Sequence, residues 1–357
     1  MEYWVGADMP IGARRVFRIS LTIALSLAIA YGMAFPLPYL APIFVLVLSA
    51  QPAPPMGLKG LLGLILVLLT LMSAGLLLIP MLVSYPVSAV LIIAAGLYFS
   101  TYLTVKLGKA LVGTLLTLGI TIIPAAGLAD FQIGVHVVKA MALGMGLAVV
   151  CQWLVYPLFP EDPVAGAAAK PAAGDADHSN WIALRVVLIV LPPFLMALAN
   201  PSLYLKLIMK TVALGQQGCA VSARTAGQEL LGSTFLGGCF AILFWFVLKL
   251  QPSLWMFFLW MLLFGIYFSS KLYRLIRSRY SASFWVNVFM TMLILLGSAV
   301  QDSANGDDVY KAFMIRMALF IAVTLYAWLA IYLLERLRTR RLSRKSLSLP
   351  DLESSRC

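Results

Sequence analysis

Two lysines stand four residues apart in the otherwise apolar stretch "PSLYLKLIMKTVALGQQG", Pro201 to Gly218. An ammonium near the centre of a membrane helix costs roughly 2.5–3.5 kcal/mol on insertion scales, so Lys206 and Lys210 call for a reason. Their i, i+4 spacing puts both on one helix face. A buried cation can replace the hydration that a carboxylate loses on leaving water, and the chemistry this suggests is recognition of an organic anion. Tyr204, Gln216 and Gln217 add polar groups nearer the ends of the same segment, and Arg316 enters the last apolar stretch at a depth similar to Lys206. The bland alternative is that the lysines pair with carboxylates for structural reasons, yet no acid stands at an obviously matching depth.

Other charged residues suggest different work. Arg224 and Glu229 stand at the start of a further apolar stretch, where a charge serves either the helix dipole or an inner gate. Asp130 and Asp302 occupy matching outer ends, where a carboxylate serves either to carry protons or to cap the helix that follows, and capping is the expectation. Lys139 and Lys311 are close enough to an interface to snorkel outward. His136 and His178 are the only histidines, and the four cysteines show no paired spacing. No metal site, cofactor or disulfide is therefore expected. With no paired membrane acids, no nucleophile beside a base and no phosphate loop, the chain does not read as an enzyme.

The elements that must position these residues are membrane helices. Hydrophobic residues make up 62% of the chain and charged residues only 11%, against about 25% charged in soluble domains. Apolar runs of about 17 to 25 residues fall at 16–34, 37–51, 58–80, 86–104, 110–127, 135–157, 182–199, 201–218, 227–248, 253–270, 283–300 and 310–333. The reading is an all-α membrane protein of about twelve transmembrane helices. The second run is short and holds Pro42, which marks it as broken, tilted or re-entrant. The formal charge of +12 reflects topology rather than nucleic-acid binding. Most of the 26 lysines and arginines gather on one face when both termini are placed in the cytoplasm, as the positive-inside rule requires.

The two halves repeat. "GLYFS" at 96–100 matches "GIYFS" at 265–269, an offset of 169, and the same offset lays "KGLLG" at 59–63 on "QELLG" at 228–232. At an offset of 172, Asp130 falls on Asp302, "VKAM" at 138–141 on "YKAF" at 310–313, and Gly144 on Arg316. An even number of spans per half makes the repeats parallel. The expected organisation is a first six-helix repeat at 1–159, a cytoplasmic linker rich in Pro, Ala and Gly at 160–181, a second six-helix repeat at 182–334 and a basic cytoplasmic tail at 335–357. The asymmetry of Gly144 against Arg316 suggests that the second half holds more of the site.

"APIFVLVLSAQPAPPMGLKGLLG" in the first half and "TVALGQQGCAVSARTAGQELLGSTFLGG" in the second share a layout: an apolar span, a Gln-containing turn, a short loop and a Gly-rich helix start. This layout resembles the fusaric acid resistance and aromatic acid exporter superfamily, in a short branch without a large domain between the halves. The resemblance implies a multi-pass component of a bacterial inner membrane that exports organic anions, aromatic carboxylic acids above all. It also implies a periplasmic adaptor of the membrane-fusion type as partner, and it allows a homo-oligomer. A passive organic-anion channel and a membrane scaffold subunit of an efflux assembly are the alternative readings.

Overall fold

In the computed structural model, residues 9–49, 54–162, 176–200, 208, 210–212, 223–306 and 308–347 are described, with only the backbone for 176–179, 223–228 and 339–347. Eleven α-helices are delimited among the described residues, and no strand. They are α1 (Ile11–Gly32), α2 (Leu40–Ser49), α3 (Leu58–Ser84), α4 (Pro86–Lys106), α5 (Ala110–Ala129), α6 (Phe131–Val155), α7 (Ala176–Ala199), α8 (Ala223–Leu250), α9 (Leu254–Leu272), α10 (Ala282–Asn305) and α11 (Val309–Leu347). Ten of them are long and apolar enough to cross a membrane. The chain is a multi-pass helical membrane protein. Its outward-facing side chains fit that solvent: Leu62, Leu66 and Leu77 of α3 and Val87 and Leu91 of α4 are all exposed, as lipid contact allows and water would not.

Local chemistry sets the helix ends. Asp130 caps α6 by accepting from Gln132 N, Ser253 caps α9 through Met256 N, and Ser281 caps α10 through Phe284 N, each supplying an acceptor to an otherwise orphan N–H. Gly306, at φ +79°, closes α10 in the left-handed conformation that glycine adopts without strain. One expectation holds, the short second run, and two change here. α2 has 10 residues, about 15 Å of helix, and covers only half of a hydrocarbon core of about 30 Å; turns with positive φ at Ala34 and Leu37 precede it. α7 begins at Ala176, inside the expected linker. α10 runs to Asn305 rather than 300, which places Asp302 within the helix rather than ahead of the next one.

The helices pack in a reciprocal pattern. α3 lies on α5 and α8 lies on α10; α1 lies on α9 and α7 lies on α4. α6 touches α1, α2, α3 and α5, while α11 touches α7, α8 and α10. Small residues let the backbones approach at the tightest crossings. A Cβ at Gly75 of α3 would meet the backbone carbonyl of Gly119 on α5, and one at Gly237 of α8 would meet Thr291 and the Val288 carbonyl on α10.

Candidate functional site

α8 and α10 face each other with one residue every fourth position, the spacing that keeps side chains in a row on one helix face. Glu229, Ser233 and Gly237 come from α8; Ser283, Asn287 and Thr291 come from α10. They meet as three rungs. Ser283 Oγ donates to Glu229 Oε2 at 3.2 Å, Asn287 Nδ2 donates to Ser233 Oγ, and the Thr291 side chain occupies the space beside Gly237 where a Cβ would stand. Ser281, the cap of α10, shares a hydrogen bond of 2.8 Å with Ser283. The polar row therefore starts at the helix ends and runs inward among buried side chains.

Lys210 sits at the inner end of this row. Of the segment 201–218, Ile208, Lys210, Thr211 and Val212 are described; all four are helical and buried. Lys210 is 1% exposed. Its Nζ donates to Asn287 Oδ1 at 2.9 Å and to Thr291 Oγ1 at 2.7 Å. The hydroxyls around it point their hydrogens elsewhere: Thr291 Oγ1 donates to the Asn287 carbonyl at 2.7 Å, and Ser233 Oγ to the Leu230 carbonyl at 3.1 Å. Lys210 thus faces neutral oxygen lone pairs, and among the described residues no carboxylate pairs with it.

Arg316 is placed differently from the sequence expectation. Its two terminal nitrogens donate to the two carboxylate oxygens of Asp302, Nη2 to Oδ1 at 2.7 Å. Both side chains are largely buried. Asp302 does not cap α11; Asp308 does, accepting from the N–H groups of Tyr310 and Lys311. Asp302 lies 11 residues beyond Thr291 on the same helix, about 16 Å along the axis. Arg316 is therefore neutralised by its own partner, well away from Lys210, and does not join it in one cationic site.

The remaining expectations divide by coverage. Lys206, Tyr204, Gln216 and Gln217 lie outside the described residues. Arg224 belongs to the first turn of α8, described by backbone alone. Glu229 is held by Ser283 at the mouth of the polar row, a position compatible with gating. Ser233, Asn287 and Thr291 were not singled out in the sequence, because isolated hydroxyl and amide residues are ordinary in apolar helices. Their signal lay in the facing i, i+4, i+8 rows and in the other half of the chain. At the offsets of 169 and 172, the rungs Glu229–Ser283, Ser233–Asn287 and Gly237–Thr291 correspond to Gly60–Leu111, Leu64–Leu115 and Leu68–Gly119, and Lys210 corresponds to Ala41. The whole polar set is replaced by apolar residues together.

At the end of the bundle where α1 begins, a second charged group ties elements together. Arg15 and Arg18 both donate to Glu161, and Arg14 to Asp162. Tyr273, at the end of α9, donates to the Ser49 carbonyl at 3.2 Å. Burial pushes the Glu161 carboxyl upward, but the hydrogen bonds and charges of Arg15 and Arg18 outweigh it and hold the group below its ordinary value. These guanidinium groups are engaged with carboxylates and carbonyls, so this cluster is a clamp rather than an open anion site.

A family model described as "Protein of unknown function (DUF2955)" matches residues 15–155, a stretch that begins in the first turns of α1 and ends with α6. No curated protein and no solved structure matches the chain.

Proposed function

We propose that this chain is a secondary transporter that carries organic anions, aromatic carboxylates foremost, out of the cytoplasm across a bacterial inner membrane, with Lys210 as the charge that meets the carboxylate. The observation that carries the reading is a fully buried lysine whose only partners among the described residues are an amide and a hydroxyl. A buried charge without a counter-charge is costly, and Arg316 with Asp302 illustrates how the same protein matches a cation that has a purely structural task. An arriving anion would supply at Lys210 what Asp302 supplies at Arg316. The row from Ser281 through Glu229 offers a polar approach from the helix ends, which the positive-inside rule places in the cytoplasm.

The architecture we assign is two parallel six-helix repeats, with α2 and the 201–218 segment as equivalent members and both termini cytoplasmic. The reciprocal contacts of α1 with α9 and α7 with α4 support it, because a twofold relation between halves converts one pair into the other. The family match, ending where α6 ends, agrees with a unit boundary there. Export beyond the inner membrane would use a periplasmic adaptor.

Uptake of radiolabelled 4-hydroxybenzoate into inverted vesicles tests the assignment. Lys210→Met and Lys210→Gln should reach the membrane as folded protein at wild-type level and lose uptake. A well-folded Lys210→Met with near-normal uptake overturns the assignment of the site.

A further inference from the structure

We infer that the first half of the bundle holds a second ligand site, separate from Lys210, which takes a single aromatic ring carrying a hydroxyl group. A cavity of about 160 Å³ lies at the end of the bundle where α1 begins, between α1, the end of α2, the approach to α3 and the end of α6. An apolar cavity of about 150 Å³ is enough to hold benzene, so this one has room for one ring. Thr22 and Arg18 on its floor are buried, whereas Pro54 at its rim is exposed. The cavity therefore opens at the end of the bundle, on the side assigned above to the cytoplasm.

Its walls are pinned in place, as in a pre-formed small-molecule site. Gln152 Nε2 donates to Ser49 Oγ at 2.9 Å and ties α6 to the end of α2. Trp153 Nε1 donates to the Met56 carbonyl at 2.7 Å and holds the approach to α3 against the same helix. The Arg18 guanidinium, engaged with Glu161 and the Phe159 carbonyl, lies 5.5 Å from the centre of the Tyr156 ring. Leu48, Pro55, Met56 and the Tyr156 ring supply the apolar contact that an aromatic ring needs. The polar lining selects the substituent. Thr22 Oγ1 gives its hydrogen to the Arg18 carbonyl at 2.6 Å, which makes it an acceptor for a ligand, while Gln152 and Ser49 bring an amide oxygen, a second amide N–H and a hydroxyl hydrogen. A phenolic hydroxyl both donates and accepts, so it answers both kinds of group. An ether oxygen only accepts and leaves Thr22 without a hydrogen to receive.

4-Fluorophenol and 4-fluoroanisole share the ring and differ in that one donor, and fluorine NMR separates protein-bound probe from probe dissolved in lipid. The experiment uses purified full-length protein in lipid nanodiscs at neutral pH, where a phenol keeps its proton, with empty nanodiscs as reference. 4-Fluorophenol should give a bound signal that saturates at one per chain, and 4-fluoroanisole should bind about 10-fold more weakly. Thr22→Val removes the acceptor at nearly constant volume and should bring the phenol down to the level of the ether. Leu48→Trp fills the cavity and should abolish the bound signal. Lys210→Met should leave it unchanged, so the result does not depend on whether Lys210 receives an anion. Absence of a saturable signal from the wild type overturns the inference, as does 4-fluoroanisole binding as tightly as 4-fluorophenol. Loss of the signal in Lys210→Met with wild-type binding in Leu48→Trp assigns the ring to Lys210 instead and overturns it too. Thr22 and Leu48 stand on different helices, so either variant locates the site should the other fail to fold.

Discussion

Asp302 accepts hydrogen bonds from both guanidinium arms of Arg316, joining the last turns of α10 to α11 inside the bundle. Removing one member of such a pair strands the other's charge in a poorly solvated place, whereas removing both leaves an apolar contact. Arg316→Met and Asp302→Leu should each destabilise the protein by on the order of 3 kcal/mol, and the double variant should recover most of that loss. Thermal unfolding followed by size-exclusion chromatography measures it. Single variants as stable as the wild type would show that the pair does no structural work, and would return Arg316 to the list of candidate anion ligands.

Lys210, Asn287 and Ser233 should behave as one coupled unit. Asn287→Leu removes an acceptor from Lys210 and a donor from Ser233, leaving a buried ammonium with one bond fewer, at a cost of about 1–3 kcal/mol. In a Lys210→Met background the ammonium is absent, so the same change should cost less, by about 1 kcal/mol or more. A double-mutant cycle on thermal stability gives the number. A cycle that closes with no coupling means that Lys210 does not depend on Asn287.

How far the sequence led can be judged at these residues. Lys210 was legible because a lysine inside an apolar run is costly wherever it lies. Its partners were not, since isolated hydroxyl and amide residues are ordinary in apolar helices and the hydroxyls satisfy their hydrogens on their own helix backbone: Thr291 bonds the Asn287 carbonyl, and Ser233 the Leu230 carbonyl. Arg316 was legible as unusual but its carboxylate partner was not, because a boundary drawn at 300 made Asp302 a cap of the next helix, whereas α10 carries it inside. The long helices follow from apolar length alone. The extent of α2 does not, as its ends depend on the turns at Ala34 and Leu37, where non-glycine residues adopt positive φ and which hydropathy cannot register.

Glycine positions along α3 and α8 separate packing from propensity. At Gly237 an added methyl would collide with Thr291 and the Val288 carbonyl, while at Gly63 of α3 nothing lies within reach. Gly237→Ala should therefore cost about 1–3 kcal/mol through forced separation of α8 and α10. Gly63→Ala should be neutral or stabilising by up to about 1 kcal/mol, because alanine is the better helix former. Thermal unfolding of the two variants beside the wild type tests this pair. Equal tolerance at both positions would mean that α8 and α10 are not in the close contact described.

The clamp at Glu161 should give stability a defined dependence on acid. Its side chain is only 4% exposed, and it accepts from Arg15 Nε at 2.6 Å and from Arg18 Nη2 at 2.6 Å. Burial alone would raise its pKa, but the two arginines prevail and lower it in the folded protein from the ordinary 4.5. A depressed carboxyl contributes stability that is fully present above the unfolded value and is lost as pH falls through the folded value. Wild-type stability should therefore hold from neutral pH down to the ordinary glutamate range and decline below it. Glu161→Gln should be less stable at neutral pH, because Arg15 and Arg18 lose their shared counter-charge, and its loss on acidification should be correspondingly shallower. Melting temperatures of both proteins in nanodiscs, taken from neutral pH to below the ordinary glutamate value, give the two slopes. Parallel acid profiles would show that the carboxylate of Glu161 is not what holds α1 to the end of α6.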